Sequence, residues 1–181
     1  MTTQNQLEAI MAQGKVLPDN KITEILDELQ NKQPSIYRFI YGEPSDTINL
    51  LNNDMANLYL DLSFDVVWFF RNKFGEIPVV TDHEAWTTKT IALLDAELKS
   101  LTNEIPMDDK FRNNLQKRFV KRSLESSIQM QLLQYIENQV EHYASFNRKR
   151  EKAIQLTKSL LFVLVRLFGD LYTLKQTKKI N

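Results

Sequence analysis

The chain of 181 residues contains no cysteine. That absence excludes disulfides, thiolate nucleophiles, iron–sulfur clusters and cysteine-ligated zinc, and it suits a reducing compartment. Glycine occurs 4 times and proline 5 times. So few breakers favour long helices over the turn-rich layout of a sandwich or barrel. They also leave no glycine-rich phosphate loop, Walker motif or Gly-x-Ser-x-Gly elbow. Histidine is scarce: His83 and His142 are the only two. There is no His-Glu-x-x-His pair, and Gln139 stands three before His142 where a di-iron bundle needs glutamate. No metal and no cofactor is therefore expected. A long apolar run is missing as well. The most apolar stretch, residues 160–165, stops at Arg166, far short of the roughly 20 residues that span a bilayer. Residues 1–13 lack the charged start and apolar body of a secretory signal. These absences read as a cytoplasmic protein without a membrane span.

What is present points to helices. Hydrophobic residues make up 43% and charged residues 25%, the balance of a folded globular chain rather than a disordered one. The length suits a single helical domain over 1–181. Residues 1–17 read as a loosely attached N-terminal helix and 175–181 as a frayed basic tail. Ile22, Ile25, Leu26 and Leu29 recur at helical spacing, and Pro34 separates that segment from a short apolar one closed by Gly42.

Pro44, Ser45 and Asp46 then open a helix, with Ser45 or Asp46 as its cap, expected to run unbroken to Phe74. Leu51, Met55, Leu58, Leu62 and Phe69 form its stripe. Val66, Val67, Trp68 and Phe70 make its second half apolar nearly all round, as in the central helix of a bundle. Thr81 and Glu84 have capping-box spacing, with Thr81 as N-cap. Asp108 and Asp109 open a further helix whose apolar residues run from Phe111 to Tyr143. A bend is expected over 144–147, where Asn147 can cap a last helix through Ile154, Leu161, Val165 and Phe168. No stretch shows sustained strand alternation. The expected fold is all-α: an antiparallel helical bundle of four long helices with two or three short N-terminal helices.

The formal net charge is zero, but it is divided along the chain. Residues 1–109 hold 8 Lys and Arg against 18 Asp and Glu, and residues 110–181 hold 15 against 5. Either the two halves complement each other or the basic half meets an anionic partner. Lys117, Arg118, Lys121 and Arg122 mark a basic surface for an anion or partner, and residues 148–152 carry a second basic cluster. Asp61 and Asp65 share a helix face with Asp54 amid apolar residues. They are candidate buried carboxylates, to be paired with cations of the basic half.

Three functions follow as expectations. The first is a non-enzymatic helical protein-interaction module, self-associating as a homodimer or bound to a protein partner. It is motivated by two segments, 68–70 and 160–165, apolar in every direction and easier to cover with a second chain. The second is nucleic-acid binding through the basic helix 110–122. The third is a ligand-binding or carboxylate-based enzymatic bundle around Asp61 and Asp65.

Overall fold

The computed structural model describes residues 3–146 and 150–177, with side chains at 5–146 and 150–174. Among the described residues all regular structure is α-helical. The helices are α1 (Thr3–Gly14), α2 (Asp19–Lys32), α3 (Pro34–Tyr41), α4 (Glu43–Leu51), α5 (Asn53–Phe74), α6 (His83–Lys99), α7 (Asp109–Glu125), α8 (Ser127–Ala144) and α9 (Glu151–Thr177). The fold is thus all-α, a helical bundle. None of the described helices is long and apolar enough to cross a membrane.

Two of the helices expected to be continuous are broken, one at Asn52, whose side chain bonds the backbone, and one at Ser126, whose side chain makes no cap. At Asn52 the backbone is extended, and the side-chain oxygen accepts a 2.9 Å bond from the Met55 N–H, which caps α5. Neither Ser45 nor Asp46 serves as a cap, because α4 begins earlier, at Glu43. Ser45 instead donates its hydroxyl to the Gly42 carbonyl at 3.0 Å. At Ser126 the backbone leaves helical geometry and separates α7 from α8. The cap of α6 is Asp82 rather than Thr81: the helix starts one residue later, and the Asp82 carboxylate accepts from the Ala85 N–H. Asp108 caps α7 through the Phe111 N–H at 3.0 Å. The cap expected at Asn147 and the end of the tail at 178–181 lie outside the described residues.

Helices α5 and α9 form the centre. Phe70 of α5 packs against Phe168 and Tyr172 of α9, with ring centroids 5.6 Å apart in both pairs, and meets Phe69 edge-on at 5.4 Å. The Tyr172 hydroxyl donates to the Gly75 carbonyl. The faces of α5 turned away from α9 are covered by the short N-terminal helices. Trp68 donates its indole N–H to the Ile10 carbonyl of α1 at 2.7 Å, and Tyr59 donates its hydroxyl to the Phe39 carbonyl of α3. Leu7 and Met11 of α1, read from the sequence as part of a loosely attached segment, are buried in the common core. On α9, residues 161 and 163–165 are buried as well. Residues 68–70 and most of 160–165 are therefore covered by this chain's own helices, while Leu160 and Phe162 stay partly exposed and Leu160 and Val163 line an open cavity of about 490 Å³.

The acidic and basic halves meet through ion pairs. Glu97 of α6 receives Arg118 and Arg122 of α7, and Asp54 of α5 lies 3.7 Å from Arg150.

Candidate functional site

Helix α7 is basic along its length but has two different faces. Its inner face is fastened to the end of α6. Arg112 donates to the carbonyls of Ser100, Thr102 and Ile105, and Gln116 donates to Ser100 as well. These donors satisfy the carbonyl of Ser100, the C-cap of α6, and two carbonyls of the loop that follows it. Arg118 and Arg122 also turn inward. Arg118 donates through Nε to Glu97, a carboxylate only 1% exposed. Arg122 forms a two-pronged pair with Asp170 of α9 at 2.8 and 3.0 Å, and its Nε lies 3.6 Å from Glu97. A buried charge is tolerated only with such partners.

The outer face carries Lys117, Val120, Lys121 and Leu124 at i, i+3, i+4 and i+7, all exposed. The four basic residues read from the sequence as one surface are thus divided. Arg118, still 43% exposed along its side chain, and Arg122 neutralise buried or half-buried acids, Lys117 faces outward, and Lys121 is exposed while also lining a cleft towards α8 and α9. In the second basic cluster, Arg150 also points inward, stacking over Tyr143 and donating to its carbonyl.

Between α7, α8 and α9 lies a cleft of about 430 Å³. Helix α7 contributes Arg118, Lys121, Arg122 and Glu125 to its wall; Ser126 and Gln129 come from the start of α8, and Arg166, Asp170 and Thr173 from α9. Arg166 is only 1% exposed, and its guanidinium donates to neutral acceptors: Gln129 Oε1 and Ser123 Oγ, both at 3.0 Å, with the Met130 sulfur beyond. Burial and then the nearby Arg122 draw its pKa below that of a free guanidinium, while Glu97 and Asp170 oppose them. Gly169 makes room for this arrangement, since a Cβ there would stand 2.2 Å from the Gln129 amide nitrogen.

Glu97 and Arg166 were missed at the level of sequence, although both leave a signal. Glu97 stands one turn after the buried Leu94 and beside Leu98 on α6, and Arg166 is the one charge inside the apolar stretch of α9.

The carboxylates of α5 are arranged differently from the expectation. Asp61 is exposed, because its direction on α5 points away from the packed neighbours. Burial still raises its pKa somewhat. Asp65 is half-buried and accepts a 3.2 Å bond from the Tyr135 hydroxyl of α8. Its partner in the basic half is therefore a neutral hydroxyl, not the expected cation. Burial pushes its pKa up to about 6, against lowering by the Tyr135 bond and the charge of Lys15. A cavity of about 190 Å³ beside Tyr135 is lined by Leu7, Glu8 and glutamine and asparagine side chains of α8, and by neither Asp61 nor Asp65. His83 accepts from or donates to Ser35 Oγ at 2.9 Å, and His142 sits edge-on to Phe146. Among the described residues no group of three or more His, Asp or Glu is placed to hold a metal ion.

The fold defines the chain as an all-helical bundle with a two-faced basic helix on its outside. No protein-family model matches it, no curated protein matches it, and no solved structure matches it.

Proposed function

We propose that this chain is a non-enzymatic interaction module that associates with a second copy of itself, the outer face of α7 docking on the outer face of α4. The observation that carries this reading is a matched pattern of exposure. The two most exposed large apolar side chains among the described residues are Leu50, at 88%, and Leu124, at 81%. Each ends a four-residue stripe of the same spacing and opposite charge. On α4 the stripe is Glu43, Asp46, Thr47 and Leu50; on α7 it is Lys117, Val120, Lys121 and Leu124, and all eight are exposed. The exposed Leu51 widens the first stripe.

Physical chemistry favours laying one stripe on the other. Each leucine withdrawn from water contributes about 1.5–3 kcal/mol before the cost of association. Charges of opposite sign flank the apolar residues, which orients the encounter and excludes like faces. A two-fold axis relating the copies makes the contact twice, α4 on α7 and α7 on α4.

Light scattering across a concentration series tests this. The mass is expected to rise from that of one chain towards two, and Leu124→Asp or Leu50→Asp is expected to hold it at one. Val16→Asp, a control at an equally exposed apolar residue outside both stripes, leaves the rise unchanged. A constant single-chain mass overturns the proposal, as does association that survives both leucine substitutions.

A further inference from the structure

We propose that the cleft between α7, α8 and α9 binds a small phosphorylated molecule, a phosphomonoester with a hydroxylated body. The cleft, about 430 Å³, lies within the range of about 300–1,000 Å³ typical of small-ligand sites. It has room for more than a bare oxyanion. Of the charged groups in its wall, Arg118, Lys121, Arg122 and Arg166 are cations, and only Glu125 and Asp170 are anions.

The anions are not placed to satisfy the cations equally. Asp170 is engaged by the fork of Arg122. Glu125 lies 3.8 Å from Lys121, and both are well exposed, a loose pair that a doubly charged phosphate displaces. Arg166, buried in the cleft floor, has only neutral acceptors within hydrogen-bonding reach. A charge so placed is better stabilised when an anion occupies the space beside it.

Helix α8 adds to the same potential. Ser126 and Gln129 line the cleft at its first turn, Ser126 makes no side-chain cap, and that turn holds no acidic residue. The only negative side chain at that end is Glu125, just before the N-cap, and it is the loosely paired one. The remaining wall indicates the body of the ligand. Ser126 and the Gln129 amide N–H are hydrogen-bonding groups suited to hydroxyls, Thr173 already donates its hydroxyl to the Gly169 carbonyl, and no aromatic residue lines the cleft to stack a base.

Isothermal titration at low salt with glucose 6-phosphate, inorganic phosphate and glucose tests the inference. Glucose 6-phosphate is expected to bind saturably and inorganic phosphate more weakly, with no heat from glucose. Lys121→Ala is expected to weaken glucose 6-phosphate binding about tenfold, the loss of one charge-assisted contact. Lys117→Ala, one turn away on the same helix but outside the cleft, is expected to leave it unchanged. No saturable binding of either phosphate at millimolar concentration overturns the proposal. Equal weakening by the two substitutions also overturns it, because it means the phosphate is held by the general charge of α7.

Discussion

Asp65 is a carboxylate that the fold prefers neutral. Its pKa is pushed up to about 6 by burial, from 3.8. The folded state therefore holds its proton more tightly than the unfolded chain does. The resulting contribution to stability is complete below about pH 4 and is lost as pH rises through about 6. Asp65→Asn keeps an acceptor for the Tyr135 hydroxyl and removes the buried charge. It is expected to stabilise the protein by about 1–2 kcal/mol at neutral pH and by almost nothing near pH 4. Thermal unfolding of both proteins across that range checks this, and a pH-independent difference would speak against it. Gly14 offers a second test. A Cβ there would stand 2.7 Å from Trp68 Cδ1, and the ring is fixed by its bond to the Ile10 carbonyl. Gly14→Ala is expected to destabilise by about 1–2 kcal/mol, with a red-shifted tryptophan emission as α1 lifts away. Denaturant unfolding followed by fluorescence measures both. At this scale sequence reasoning reached Asp65 but not its partner. A helix periodicity shows which residues share a face and is silent on which neighbour that face meets, here Tyr135 from 70 positions further along the chain.

The helices themselves were largely legible, because apolar residues at helical spacing, with Pro34 and Gly42 as punctuation, define them locally. Their breaks were less so. Asn52 and Ser126 interrupt segments that contain no proline or glycine; Asn52 caps α5 with its side chain and Ser126 makes no cap, so residue type alone marks neither break. The start of α6 shows the same ambiguity over a single residue, since Thr81 and Asp82 are both good caps. Asp82→Ala is expected to cost about 0.5–1 kcal/mol and Thr81→Ala almost nothing, read from denaturant unfolding; the reverse order would return the cap to Thr81. Helix α7 shows why a run of basic residues cannot be assigned from composition. Arg118 and Arg122 lie a turn apart on the side that meets Glu97 and Asp170, Lys117 lies on the side that meets solvent, and Lys121 is exposed between that side and the cleft. The acid that draws the arginines inward is buried on another helix, and only its place one turn after Leu94 on α6 hinted at it.

For the molecule as a whole, apolar excess and charge division proved to be separate matters. The all-round apolar segments of α5 and α9 are largely covered internally, by α1, α3, α4, α6 and α8, with Leu160 and Phe162 left partly exposed. The division of charge is only partly used internally, at Glu97 and Asp54. What remains outward is an acidic stripe ending in Leu50 and a basic stripe ending in Leu124. Self-association through these stripes is tested most directly by charge exchange followed by sedimentation equilibrium. Glu43→Lys with Asp46→Lys, or Lys117→Glu with Lys121→Glu, makes the two faces alike in sign. Each pair of substitutions alone is expected to weaken dimerisation at least tenfold, and all four in one chain to restore most of it, since the faces are then opposite again. Additive losses without restoration would contradict docking of α4 on α7.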